Sequence, residues 1–126
     1  MTPQEYIQNV KRSESSHYHP IPSRILHGAI GCCTEAGEIL DVVKKAIFYE
    51  RSVDRMNLKE EIGDLLWYIG ILCDSCGWSI EEVMEQNIAK LRIRYPEQFS
   101  KRAEQSRDYT AEAKVFTEPE NDERAA

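Results

Sequence analysis

The sequence predicts an all-α fold, and three observations support this prediction. Apolar residues recur every three or four positions through residues 23–49 and again through residues 79–94, which is the spacing of amphipathic helices. Residues 65–73 are apolar on nearly every side, which is typical of a helix that is buried on several sides or lies at a subunit interface. Alternation with a period of two is weak throughout. We therefore expect a four-helix-bundle-like domain.

The length of 126 residues suits one domain with a small core. We expect this domain to span residues 1–110, with its core at about residues 23–95. Residues 111–126 are charged and contain almost no large apolar groups after Phe116, so we expect a partly disordered polar tail.

Charge and hydropathy exclude several partners. The net charge of -6 argues against nucleic-acid binding, because a phosphate backbone requires a basic face. No apolar run reaches the roughly 18 residues that span a bilayer. The polar start, residues 1–5, lacks the pattern of a signal peptide. We therefore expect a cytoplasmic protein with neither a nucleic-acid nor a membrane partner.

The N-terminal half predicts a short helix, a loop and a long helix. Thr2 as N-cap and Pro3 at the first helical position begin the short helix. It ends before the serine- and proline-rich loop at residues 13–22. Ser23 is a suitable N-cap for the long helix, which continues to about Tyr49.

Two glycines interrupt the long helix. Gly31 and Gly37 each cost about 1 kcal/mol relative to alanine in a helix interior. This cost indicates close approach of a neighbouring helix or a ligand at these positions.

Two further helices complete the predicted bundle. The third covers residues 57–76 and ends at Gly77, a plausible C-terminal stop. The fourth begins with a predicted capping box formed by Ser79 and Glu82, and it ends shortly before Pro96.

Two acidic pairs carry the main functional signal. Glu35 and Glu38 share one helix face because they are three residues apart, and so do Glu61 and Asp64. Antiparallel packing of the two helices would bring four carboxylates together, and clustered anions repel one another. One such pair is usually a solvated surface, but both pairs here lie among apolar residues. Oxygen ligands favour Mg²⁺, Mn²⁺ or Ca²⁺ over zinc.

Other polar side chains share faces with these pairs. His27 and Lys45 lie on the same line of the second helix as Glu35, and Asn57 precedes Glu61 by four residues. The fourth helix presents one amide and two cations along one face, which a polyphosphate would need: Asn87, Lys90 and Arg94.

The four cysteines lie within helical apolar patterns, so we expect packing rather than chemistry from Cys32, Cys33, Cys73 and Cys76. A zinc-stabilised helical adaptor is an alternative interpretation of the same residues. The chain's single Glu-x-x-His, Glu14 to His17, lies in the predicted loop and outside both acidic pairs, which argues against di-iron chemistry.

Three segments resemble the motifs of the MazG-like, all-α nucleoside triphosphate pyrophosphohydrolases. Residues 31–45, GCCTEAGEILDVVKK, are similar to the first motif, and residues 58–68, LKEEIGDLLWY, to the second. Residues 82–96, EVMEQNIAKLRIRYP, are similar to the segment that closes the family domain. The resemblance covers about residues 23–108 and is strongest to compact single-domain members from phages and bacteria.

This resemblance implies hydrolysis of a nucleoside triphosphate, often a deoxy or non-standard one, to the monophosphate and pyrophosphate. It implies that Glu35, Glu38, Glu61 and Asp64 bind Mg²⁺, which Mn²⁺ could replace. It also implies a dimer or a dimer of dimers, with helices from two chains forming each site.

The mechanism that we expect is attack of water on the α-phosphorus. Either Glu38 or Glu35 would accept the proton of a water activated by the metal. His27 would touch the base or sugar, or would be an ordinary hydrogen-bonded helix histidine. The phosphates would be held by Asn87, Lys90, Arg94 and Lys45. The alternative function is a catalytically silent helical module that binds a nucleotide or a partner protein.

Overall fold

The computed structural model describes residues 1–17 and 23–118, and it confirms the all-α class for these residues. The helices are α1 (Pro3–Ser13), α2 (Ser23–Phe48), α3 (Arg55–Ser75), α4 (Ile80–Arg94), α5 (Lys101–Gln105) and α6 (Tyr109–Ala113). None of them is long and apolar enough to cross a bilayer.

The chain divides into two compact units, Met1–Gly77 and Trp78–Ala126. In the first unit α2 and α3 form an antiparallel hairpin, and α1 packs on α3. Its buried apolar side chains come from all three helices: Ile7, Val10, Val42, Ile71 and Cys73. In the second unit α6 packs on α4.

The helix starts follow from their capping residues. Thr2 and Glu5 form a reciprocal capping box at the start of α1. Asp54 caps α3, which therefore begins two residues earlier than predicted. The side chain of Ser23, the predicted N-cap of α2, lies outside the described part of the structure. Residues 18–22 of the predicted loop also lie outside it.

Only half of the predicted capping box at α4 is observed. The hydroxyl of Ser79 accepts the N–H of Glu82 at 3.0 Å, as expected. The Glu82 carboxylate instead accepts the side-chain amide of Gln86 at 3.2 Å. One carboxylate oxygen of Glu82 is thus engaged by Gln86, four residues further along the same helix.

The expected close approach is observed at Gly31. A Cβ added there would lie 2.0 Å from the ring of Tyr68, so α3 contacts the bare backbone of α2. At Gly28 an added Cβ would lie 2.8 Å from Leu72. At Gly37, in contrast, no described atom lies within 4 Å of an added Cβ. The glycines therefore let the helices approach closely near the start of α2 and not at its middle.

An ion-pair network ties the three helices of the first unit together at the same end. Arg24 donates two hydrogen bonds to Glu14, at 2.7 and 2.6 Å, and lies 2.7 Å from Asp74. Lys11 lies 3.3 Å from the same aspartate. Because Asp74 has two cationic neighbours, its pKa falls despite the opposing effect of desolvation, which is the largest single contribution.

The second unit contains a charged residue that is almost fully buried. Glu112 lies in α6, within the segment that the sequence predicts to be a polar tail, yet only 4% of its surface is exposed. Arg94 and Arg107 each donate two hydrogen bonds to its carboxylate, between 2.7 and 3.2 Å long. Residues 119–126 of the predicted tail lie outside the described residues.

All four cysteines are free thiols. Cys73 is buried, and desolvation raises its pKa, as expected for a packing residue. Among the described side chains, no cysteine belongs to a group that could hold a metal ion, so nothing in the fold supports the zinc adaptor.

Candidate metal and substrate site

The α2–α3 hairpin brings three of the four predicted carboxylates to one point. Glu35 from α2 faces Glu61 and Asp64 from α3, and one oxygen of each lies within 4.8 Å of the others. We call these three residues the acidic cluster. The fourth residue, Glu38, is exposed and lies one turn further along α2, outside this convergence.

Neighbouring polar groups orient the acidic cluster. The side-chain amide of Asn57 donates a 2.7 Å hydrogen bond to Glu61 from one turn earlier on α3. The hydroxyl of Thr34 lies 3.0 Å from the carbonyl oxygen of Gly31 and 3.4 Å from Glu35. The Asn57 contact orients Glu61, the longer Thr34 contact lies beside Glu35, and both carboxylates keep further oxygen lone pairs available for a ligand.

The electrostatics of the acidic cluster are those of an uncompensated anion. Desolvation raises the pKa of Glu35, and the nearby charges of Asp64 and Glu61 raise it further. No described lysine, arginine or histidine forms an ion pair with any of the three carboxylates. An oxygen-only cluster of this kind is suited to a hard divalent cation.

Aromatic rings lie beside the acidic cluster. Glu35 and Asp64 line a cavity of about 390 Å³ together with Trp67, Tyr68 and Ser13. Trp67 donates its indole N–H to the Ser13 hydroxyl at 2.8 Å. The rings of Trp67 and Tyr68 pack edge to face, with centroids 5.0 Å apart. The cavity therefore combines metal-type ligands with apolar walls.

His27 joins this aromatic group. Its ring centroid lies 5.5 Å from that of Tyr68 and 6.3 Å from that of Trp67, both in edge-on geometry. Tyr6 of α1 is another neighbour of the acidic cluster, since burial and the charge of Asp64 raise its pKa. The sequence indicated His27 through its helix face, but it gave no signal for Tyr6, which is far away along the chain.

The predicted phosphate-binding residues have different surroundings. Lys45 is bound to Asp41, with 2.6 Å between nitrogen and oxygen. In the second unit Asn87 is exposed, and the ammonium of Lys90 lies 5.8 Å from the ring centroid of Phe116. Arg94 uses its Nε and Nη2 to bind Glu112. These contacts account for part of the hydrogen-bonding capacity of Lys45 and Arg94.

Comparison with known proteins identifies the family of the chain. The family profile of the MazG nucleotide pyrophosphohydrolase domain matches residues 30–99, more than half of the chain. The chain belongs to this family. The matched residues lie within the segment that the motifs indicated, and they include both acidic pairs and the polar face of α4.

One phage relative of this MazG domain is also known. The "Gene 37 protein" of Mycobacterium phage L5 is 33% identical over 69 residues, which are 52% of this chain and 60% of that protein. The match thus spans less than two thirds of the relative. No solved structure matches the chain significantly.

Sequence reasoning missed Glu112, the residue that binds Arg94. Glu112 lies beyond the matched residues and is separated from Arg94 by 18 positions, so no local spacing connects the two. The only available signal was an acidic residue in a segment with two nearby arginines, which is common in polar tails.

Proposed function

We propose that the protein hydrolyses a nucleoside or deoxynucleoside triphosphate to the monophosphate and pyrophosphate, by attack of water on the α-phosphorus. The observation that carries this proposal is the acidic cluster, in which three carboxylates of a MazG domain converge within 4.8 Å and form no ion pair with a cation of the described residues. Such an arrangement is costly unless an external cation joins it.

The residues of the acidic cluster fit Mg²⁺, with Mn²⁺ as a substitute. They offer only carboxylate oxygens, and the pKa of Glu35 is raised by desolvation and by its acidic neighbours, effects that a bound cation would offset. When bound, Mg²⁺ supplies neutralisation of phosphate charge and a lower pKa for the attacking water.

The chain itself supplies two candidates for the proton acceptor. Glu38 is exposed, three residues from Glu35, and no hydrogen bond or ion pair within the described chain engages it. Glu35 lies inside the acidic cluster and lines the cavity. We propose that one of these two carboxylates accepts the proton of the attacking water.

The proposed roles of the remaining residues follow from their chemistry. We propose that Asn87, Lys90, Arg94 and Lys45 hold phosphate oxygens, and that His27 contacts the base or sugar. Glu112 holds two nitrogens of Arg94, so this guanidinium would offer a phosphate its remaining donors.

We also propose that the chain functions as a homodimer or homotetramer. Several large apolar side chains of α2 and α3 are solvent-exposed, and exposed apolar surface is the kind that subunit contacts cover: Ile30, Leu40, Ile47, Ile62 and Leu66 are between 45% and 68% exposed. Light scattering after size-exclusion chromatography tests this, and Leu40→Glu should shift the mass towards the monomer. A monomeric wild-type protein would contradict the proposal.

The activity is tested by measuring pyrophosphate release from canonical, deoxy and modified triphosphates, with Mg²⁺ and with EDTA. We expect metal-dependent release of pyrophosphate with the monophosphate as co-product. Orthophosphate as the product would place the cleavage elsewhere. A folded protein that turns over no triphosphate would support the silent binding module instead, which no observation favours at present.

A further inference from the structure

A second cavity lies where α2 passes into α3, and its lining is cationic. It has a volume of about 840 Å³, and its charged lining residues are Lys45, Arg51, Arg55 and Asp54. Asp54 is already used, because its Oδ1 accepts the backbone N–H groups of Met56 and Asn57 at 3.2 and 3.0 Å. Three cations and one capping carboxylate therefore surround this space.

Two of the three cations have no ion-pair partner among the described residues. Lys45 lies 2.6 Å from Asp41. Arg51 and Arg55, in contrast, form no ion pair with any residue in the described ranges 1–17 and 23–118. A guanidinium binds phosphate oxygens through paired donors, so two unpaired arginines at one cavity suit a polyphosphate.

The two arginines flank the turn between α2 and α3. Glu50 adopts a left-handed conformation with φ 49°, and the N–H of Arg51 donates to the carbonyl of Ala46 at 3.3 Å. This is the usual way to close a helix C-terminus. Arg55 is the first residue of α3. Both side chains thus start from fixed positions on either side of the turn.

Asn57 connects the cationic cavity to the acidic cluster. This residue is part of the lining of the cavity, and its side-chain amide donates the 2.7 Å hydrogen bond to Glu61. The aromatic cavity of Trp67 and Tyr68 lies further along α3, beyond Asp64. Along the hairpin the order is therefore cations, carboxylates and aromatic rings.

We infer that Arg51 and Arg55 bind the β- and γ-phosphates of the substrate, the part that leaves as pyrophosphate. This inference rests on the proposed function and adds two residues to it. A triphosphate whose α-phosphate lies at the acidic cluster can direct its distal phosphates to the cationic cavity. The two arginines then discriminate triphosphates from monophosphates, which lack the distal charges.

The test uses Arg51→Gln, Arg55→Gln and the double variant in the full-length protein. Arg12→Gln is the matched control, because Arg12 is an exposed cation of the same unit that lines neither cavity. For each protein we would measure KM and kcat for the preferred triphosphate at fixed Mg²⁺, and inhibition by inorganic pyrophosphate and by the nucleoside monophosphate. Circular dichroism and melting curves establish folding.

We expect the double variant to raise KM roughly tenfold or more, since two charge-assisted contacts are lost. The inhibition constant of pyrophosphate should rise in parallel, whereas that of the monophosphate should stay unchanged. Arg55→Lys should raise KM less than Arg55→Gln does, because lysine keeps the positive charge. The control should behave like the wild type.

Other results would overturn the inference. Unchanged KM and unchanged pyrophosphate inhibition in an active double variant would remove both arginines from the site while the proposed function stands. Equal weakening of pyrophosphate and monophosphate would show a general charge effect without distal recognition. If the wild type turned over no triphosphate, calorimetry with inorganic pyrophosphate would decide separately: binding lost in the double variant supports the cationic cavity, and equal or absent binding overturns it.

Discussion

The buried carboxylate of Glu112 and the carboxylates of the acidic cluster have opposite electrostatic surroundings. Glu112 is buried between two arginines, and their hydrogen bonds lower its pKa to about 2. The acidic cluster has three carboxylates and no described basic partner, and there the pKa of Glu35 is raised by desolvation and by its acidic neighbours. A carboxylate supplied with its own cations has its charge compensated within the fold, whereas the proposed function assigns the compensation of the acidic cluster to a cation from solution.

The largest effect that would test this comparison is loss of activity in Asp64→Asn. We expect at least about a 10²-fold fall in kcat and weaker Mg²⁺ binding, because one oxygen ligand loses its charge. The metal-free variant should melt at the same temperature as the wild type or higher, since one repelling charge next to Glu35 is gone. Pyrophosphate release, Mg²⁺ calorimetry and melting curves measure the three quantities.

Glu38→Gln is the companion variant and should also abolish turnover if Glu38 accepts the proton. Because Glu38 lies outside the acidic cluster, we expect Mg²⁺ affinity to change less than in Asp64→Asn. Near-normal metal-dependent activity in Asp64→Asn would remove this residue from the site.

Removing the hydrogen bond to Glu61 should separate the effect of carboxylate orientation from that of charge in the acidic cluster. Asn57→Ala leaves the three charges in place and deletes the group that orients one of them. We expect a fall of about 10- to 100-fold in Mg²⁺ affinity or activity, the usual effect of losing a group that supports a metal ligand. Asn9→Ala, in α1, is the control, since its amide bonds only to a backbone carbonyl. An unchanged metal affinity would contradict the role of Asn57.

Glu112→Gln should change the melting temperature in the opposite direction to Asp64→Asn. It leaves Arg94 and Arg107 without their shared anion, so we expect a melting temperature lower by several degrees. Glu97→Gln, an exposed glutamate in the same unit, should change little. Equal melting temperatures of Glu112→Gln and the wild type would show that the buried carboxylate contributes nothing net.

The pH dependence of that difference follows from the pKa of Glu112. Its value of about 2 in the folded protein lies below its ordinary value of 4.5, so its contribution to stability is complete above pH 4.5. The contribution is lost as the pH falls towards 2. Melting curves between pH 7 and pH 2.5 should show the gap between wild type and Glu112→Gln narrowing only below pH 4.5.

A smaller effect concerns the helix contact that holds the acidic cluster together. Gly31→Ala places a methyl group against the Tyr68 ring, and the forced shift should cost about 1–3 kcal/mol and reduce activity. Gly37→Ala meets no described atom and should stabilise α2 by about 0.5–1 kcal/mol through helix propensity. Chemical denaturation of both variants measures the pair. Destabilisation by Gly37→Ala would indicate a contact outside the described chain.

The sequence alone determined the helical class, the starts of α1 and α4 and the pairing of acids on helix faces. These features depend on spacing within one helix and on capping residues a few positions away, which the chain order displays directly. The same spacing placed Asn57 above Glu61, and the motifs identified the family that the comparison with known proteins confirmed.

Only the tertiary structure decided which carboxylates converge and which cations are already bound. Glu35 meets Glu61 and Asp64 because the ring of Tyr68 packs on Gly31 and sets how α2 and α3 approach each other, while Glu38 lies outside the group of converging oxygens. The binding of Arg94 to Glu112 joins residues 18 positions apart, and no periodicity encodes such a contact. Charge balance in a folded protein depends on distances between elements, and those distances arise from packing.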